Sequence, residues 1–218
     1  MRLAVLASGR GSNLQAILDA IAQRRLEARV AGVFSDRAKA GALERARAAG
    51  IPAESLKPTD FATREAFDES LFSRIAAVHP DLIVCAGYMR LLGAPQVEAW
   101  AGRMINIHPS LLPAFKGLRT HEQALAAGVA VHGASVHFVT CELDGGPVIA
   151  QARVPVLPGD DAMALAARVL EREHPLLVAT LRLFAERRVA LQADGVHVDG
   201  RRLEAPLQLD GDLREAAA

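Results

Sequence analysis

Three residues at the ends of apolar runs have side chains that move protons and hold developing charge. Asn106 and His108 sit in MINIHPSLLPAFKG, and Asp144 sits in HFVTCELDGGPV. Asn106 and His108 lie two apart at the end of a predicted strand, so both leave the same face. An Asn amide can donate a hydrogen bond to an oxyanion, and an imidazole moves a proton near neutral pH. Asp144, followed by Gly145 and Gly146, places a carboxylate in a glycine-rich loop able to approach the same crevice. Each has a plainer alternative: an Asx turn opening at Asn106, a satisfied half-buried His108, and an Asp-Gly turn at 144.

A second chemical signal is SGRGSN at residues 8–13, where glycines and small polar residues end one apolar run and open a helical pattern. Free backbone N–H groups and the helix dipole favour a phosphate at such a turn. Residue 14 is Leu where a dinucleotide fingerprint has Gly, and no phosphate-loop lysine follows. The alternative is a tight turn with Ser12 as the helix cap.

These residues need a scaffold that ends several strands together. LAVLAS (3–8) precedes a pattern in which Leu14, Ile17, Leu18 and Ile21 recur at helical spacing, giving one βα unit. ARVAGVFS (28–35) and ALERARAAG repeat it, with Gly50 as a helix stop and a short strand around 53–56. Residues 63–78 form an amphipathic pattern and DLIVCAG follows as a buried strand. Near-continuous apolar strands separated by helices predict an α/β fold: a single-domain, mostly parallel twisted sheet with helices on both faces. Ligands in such sheets bind beyond the carboxyl ends of the strands. Further along come a strand at MINI, a helix at about 120–127, two longer strand-like runs and a helix over about 160–187. Residues 189–205 read as a terminal hairpin, and an Ala-rich end after Leu213 reads as frayed.

Composition narrows the partners. The 218 residues carry 25 Lys+Arg against 25 Asp+Glu and are 51% hydrophobic, which describes a globular chain without a global basic field for nucleic acid. The apolar run after Met1 is too short for a signal peptide or a membrane span, so a cytoplasmic protein is expected. Cys85 and Cys141 form no CxxC pair and are expected to be reduced thiols.

NIHPSLLPAFKG, HGASVHFVTCELDGGPVIAQ and SGRGSNLQAI together resemble the phosphoribosylglycinamide formyltransferases, folate-dependent enzymes of purine biosynthesis. The similarity runs over about residues 1–190. It implies a formyltransferase domain there, with a Rossmann-like phosphate-binding half over about 1–100, a catalytic half over about 101–190, and a C-terminal hairpin and tail at 191–218. By resemblance, Asn106, His108 and Asp144 are catalytic, Gly11, Ser12 and Asn13 hold the substrate phosphate, and Glu173 meets the ribose hydroxyls. YMRLL matches the folate-binding stretch and implicates Met89, Arg90, Leu91 and Leu92, with Arg64, Asn106, Val139 and Cys141 as further folate contacts. Two positions depart from some relatives: Leu170 stands where some have a polar or basic side chain, and Arg119 where some have a histidine.

The reaction so implied is formyl transfer from 10-formyltetrahydrofolate, a cosubstrate, to the amine of glycinamide ribonucleotide, without a metal. The amine attacks the formyl carbon, Asn106 and protonated His108 meet the oxyanion, and Asp144 is expected to favour the protonated ring. Small molecules are the expected partners, with no nucleic acid or membrane, and the chain is a monomer or homodimer. A formyl-folate hydrolase or a methionyl-tRNA formyltransferase would share the triad, but the extra N-terminal or C-terminal domain of those enzymes is not expected here. A noncatalytic nucleotide-binding module explains the glycine turn and not the triad. A Cys141 nucleophile is a further alternative. His121, His132 and His137 are read as structural or loop residues, since none has metal-like partner spacing.

Overall fold

A computed structural model describes residues 1–214. The chain divides after Asn106 into two compact units. In the first, strands β1 (Arg2–Leu6), β2 (Arg29–Ser35), β3 (Ala53–Ser55), β4 (Leu82–Cys85) and β5 (Met104–His108) alternate with helices α1 (Ser12–Ala22), α2 (Gly41–Ala48), α3 (Arg64–Ala77) and α4 (Ala94–Ala99). The strand order is β5-β4-β1-β2-β3 and every pairing is parallel. Strands β1 and β4 are buried along almost their whole length, as a parallel sheet covered on both faces requires. Leu3, Leu6, Leu14, Ile17, Leu71 and Ile75 have no exposed surface and form the core, while Leu18 and Ile21 of the stripe read from the sequence are half-buried.

The second unit is built differently. Strands β6 (Val131–Phe138) and β7 (Val148–Pro155) pair antiparallel, helix α5 (Thr120–Ala126) precedes them, and the 24-residue helix α6 (Ala162–Ala185) packs on both strands. Asp161 caps α6 by accepting from the Ala164 N–H at 2.7 Å. Strands β8 (Val189–Gln192), β9 (Gly195–Val198) and β10 (Arg201–Arg202) form a separate antiparallel sheet, the hairpin expected from Gly195 and Gly200. Strand β11 (Leu207–Asp210) then runs parallel to β7, and β12 (Asp212–Arg214) pairs back on β11. The sequence reading contained neither these last two strands nor α4. Each is short, and PLQLDGD has too few alternations to mark an edge pair. The frayed end expected after Leu213 falls mostly outside the described residues.

Strand order reverses at β1, whose neighbours are β2 and β4. The crevice beyond the carboxyl ends of β1 and β4 is therefore the topological switch point of this unit. Two loops meet there: the Ser8 N–H donates to the Gly87 carbonyl at 3.0 Å, and the Met89 N–H donates to Ser8 Oγ at 2.9 Å. Gly11 is the cap of α1 at φ +76, and a Cβ there would come within 2.6 Å of the Ala42 Cα. Both the left-handed backbone and the close approach of α2 demand glycine.

Gly11→Ala is accordingly expected to lower the unfolding free energy by about 1–3 kcal/mol, from αL strain and contact with the Ala42 backbone. Urea unfolding of the two proteins checks it; an unchanged midpoint would remove the steric argument.

Candidate active site

Strand β5 ends at His108, which is buried, with half-buried Asn106 two residues earlier on the same face. Ring atom Nδ1 of His108 lies 3.5 Å from Asp144 Oδ2, within ion-pair range. Nε2 lies 3.0 Å from the Phe115 carbonyl, which can only accept, so an Nε2–H donates there. Both ring nitrogens thus face oxygen atoms. Asp144 is placed by its backbone: it holds φ +47 in the loop after β6, and Oδ2 accepts from the Gly117 N–H at 2.8 Å. The sequence pairing of His108 with Asp144, across 36 positions of chain, is therefore a real contact.

Asp144 has a second imidazole that the sequence reading treated as structural. Nε2 of His137 stands 3.7 Å from Asp144 Oδ1, and its Nδ1–H donates to the Phe138 carbonyl at 2.9 Å. Burial pushes the His137 pKa down, with the Phe138 carbonyl and the Asp144 charge opposing. His137 is a polar residue at a fully buried strand position between Val136 and Phe138, and that pattern was the available signal. A further pair lies nearby: the His121 and His132 rings meet edge to face at 5.3 Å, and Phe115 meets His132 at 5.7 Å. Burial lowers the His132 pKa to about 4, with the positive charge that His121 can carry adding to it.

In the first unit, Gly11, Ser12 and Asn13 open α1, which has no side-chain cap and no acidic residue in its first turn. Ser12 is not the cap; Gly11 is. Its free dipole end suits an anion. Met89 and Leu91 are each 57% exposed, an apolar pair that folding leaves uncovered. Arg64 ties this loop down by donating from Nη2 to the Leu91 carbonyl at 2.8 Å, and the Arg90 guanidinium lies 5.1 Å over the Phe67 ring. Asp68 holds the other end: it is 2% exposed, accepts from the Gly93 N–H at 2.9 Å and lies 3.7 Å from Arg64 Nε. Burial raises its pKa, while the Gly93 N–H and Arg64 work against the rise. The loop geometry therefore depends on a buried carboxylate that carried no sequence motif.

The remaining expected residues are scattered in environment. Glu173 is buried on α6, Val139 is half-buried just past β6, and Cys141 is exposed. Arg119 caps α5 at φ +56 and lies 3.8 Å from Glu122, while Leu170 is half-buried on α6. Cys85 is buried, and burial pushes its thiol up to about 12, so it has no thiolate character.

The formyl transferase family matches residues 1–181, and the chain belongs to that family. It is 49% identical over 203 residues to the phosphoribosylglycinamide formyltransferase of Escherichia coli (strain K12), covering 93% of this chain and 96% of that protein. The Mycobacterium tuberculosis (strain CDC 1551 / Oshkosh) phosphoribosylglycinamide formyltransferase is 44% identical, with 92% and 89% covered. The solved phosphoribosylglycinamide formyltransferase of Coxiella burnetii superposes with a TM-score of 0.90 at 46% identity, covering 93% of this chain and 95% of that one. Among the described residues no helix is long and apolar enough to cross a membrane.

Two outcomes follow from these environments. The folded-state pKa of His132 lies below the unfolded value of about 6.5, so its contribution is complete above that pH. It is lost as the pH falls toward about 4. The melting temperature should drop between pH 7 and 5, and His132→Asn should flatten that slope; parallel slopes would exclude His132 as the source. Asp68→Asn keeps the shape and removes the charge beside Arg64, so amide exchange over residues 88–93 should quicken with the rest of the first unit unchanged. Identical exchange in that loop would show that Asp68 does not hold it.

Proposed function

We propose that this chain transfers the formyl group of 10-formyltetrahydrofolate to the amine of N1-(5-phosphoribosyl)glycinamide, giving formylglycinamide ribonucleotide in de novo purine biosynthesis. The observation that carries the reading is the His108 ring held between the Asp144 carboxylate and the Phe115 carbonyl, on a strand end shared with Asn106. Family membership and the names of the relatives support the substrates. Residues 1–190 act as the formyltransferase domain, in a cytoplasmic enzyme that is a monomer or homodimer.

The neutral substrate amine attacks the formyl carbon, and the carbonyl oxygen becomes an oxyanion. The Asn106 amide and an N–H of His108 donate to it, which stabilises charge that exists only in the transition state and intermediate. The attacking nitrogen must lose a proton and the departing folate nitrogen must gain one. His108, with Asp144 behind it, relays that proton directly or through a water, and collapse returns the carbonyl on the new amide. The Phe115 carbonyl has to leave Nε2 before that nitrogen can reach a substrate. Gly11, Ser12 and Asn13 take the ribonucleotide phosphate, and Glu173 takes the ribose hydroxyls. Arg64, Met89, Arg90, Leu91, Leu92, Val139 and Cys141 line the folate side.

Formyl transfer assayed against three acceptors, the ribonucleotide, water and initiator tRNA, tests the substrate. Turnover with the ribonucleotide alone is expected; comparable loss of the formyl group to water would make the chain a hydrolase. Asp144→Asn should lower kcat by about 10²-fold or more, the scale of a lost oxyanion stabiliser. Cys141→Ala should stay within about tenfold, roughly 1.4 kcal/mol of barrier. A formylated Cys141 seen by mass spectrometry, with an inactive Cys141→Ala, would replace direct attack by a thiol route.

A further inference from the structure

Outside the residues given a role above, a group of cationic side chains lies beside the first glycine turn. A cleft of about 550 Å³ opens between the loops that follow β1 and β2. Four cationic side chains, Arg10, Arg37, Lys39 and Arg45, line it with a single carboxylate, Glu44. The chain as a whole has equal numbers of acidic and basic residues, so this is a local departure from balance.

The cleft exists because two βα turns approach closely. The Ala42 N–H donates to the Gly9 carbonyl at 3.2 Å, and a Cβ on Gly41 would lie 3.1 Å from the Arg10 carbonyl. Arg45 is fixed as part of the wall, donating from Nε to the Arg10 carbonyl and from Nη1 to Gln15 Oε1, each at 2.9 Å. Arg37 lies 3.9 Å from Asp36. The side chains of Arg10 and Lys39 make no hydrogen bond or ion pair with the described residues, and both are exposed. Two unneutralised cations therefore stand at the mouth of a cleft whose floor, Ser8 to Arg10, runs straight into Gly11, Ser12 and Asn13.

A phosphate monoester near neutral pH carries close to two negative charges. Cations grouped at the rim of a concave, low-dielectric wall focus the field and raise the local concentration of such an anion. We propose that this cleft is a capture subsite for the phosphate dianion of the ribonucleotide, which then passes to the Gly11–Ser12–Asn13 turn. Arg10 and Lys39 supply the mobile attraction, and Arg45 keeps the wall in place. The proposal rests on the substrate being phosphorylated, as proposed above.

The test varies ionic strength. In the double variant Arg10→Gln, Lys39→Gln, kcat/KM for the ribonucleotide should fall about 3- to 10-fold at ~20 mM salt. The deficit should close to within about twofold at ~0.5 M, where the screening length shrinks to a few ångströms. The kcat, the KM for the folate and the melting temperature should not change, and the charge-keeping swap Arg10→Lys, Lys39→Arg should restore the wild-type salt slope. A deficit equal at every salt concentration, or none at low salt, overturns the proposal. Calorimetry with inorganic pyrophosphate reads the cleft without any turnover, so it separates this inference from the substrate assignment. Binding to the wild type should be weakened in the double variant, and equal binding by the two proteins, or none by either, overturns it.

Discussion

The carboxylate of Asp144 organises the second unit's chemistry. One oxygen lies within reach of the His108 ring and accepts from the Gly117 amide, and the other faces His137. A negative charge that is almost fully enclosed is costly unless such partners surround it. Their positions are therefore mutually determined: the loop containing Gly117 brings a backbone donor to Oδ2, the end of β5 brings the His108 ring to the same oxygen, and the end of β6 sets the His137 ring against Oδ1. The left-handed backbone at Asp144 is part of that arrangement, since a non-glycine residue with positive φ persists where its surroundings hold it there.

The first unit solves a different problem with the same logic of strand ends. Its parallel strands finish together, so the loops after β1, β2 and β4 are neighbours without any being near in sequence. Ser8 links all three: its N–H reaches Gly87, its Oγ donates to Asp36 at 2.5 Å, and the same Oγ accepts from the Met89 N–H. A hydroxyl can donate once and accept twice, which suits a junction between a carboxylate and an amide. Half-buried Tyr88, whose phenol pKa is raised by burial and by the charge of Asp36, lies near the same junction.

What the sequence made legible divides along physical lines. Long apolar runs with one period, such as residues 3–6 and 82–85, identify parallel strands because both of their faces must be covered. The glycine turn and the Asn-x-His strand end were readable because few residue types satisfy their geometry. The partnership of His108 with Asp144 came from a family resemblance spanning the motifs, and the fold sets the two side chains 3.5 Å apart. The roles of His137 and Asp68 were not readable. A histidine inside an apolar strand and an aspartate on an amphipathic helix have many bland explanations, and only the fold brings them to a carboxylate or to the Gly93 amide. Strands β11 and β12 were lost for another reason: their pairing is with distant or very short segments and leaves little local periodicity.

The hydrogen bond from His108 Nε2 to the Phe115 carbonyl bears on equilibrium as well as on chemistry. A ring nitrogen occupied by backbone is available to a ligand only in the fraction of molecules where that carbonyl has turned away. Any ligand that must contact Nε2 therefore shows an apparent dissociation constant equal to its intrinsic one divided by that fraction. Phe115 itself holds φ +55, a region that bulky L residues seldom occupy. For such a ligand a binding isotherm reports that population together with the strength of the contacts.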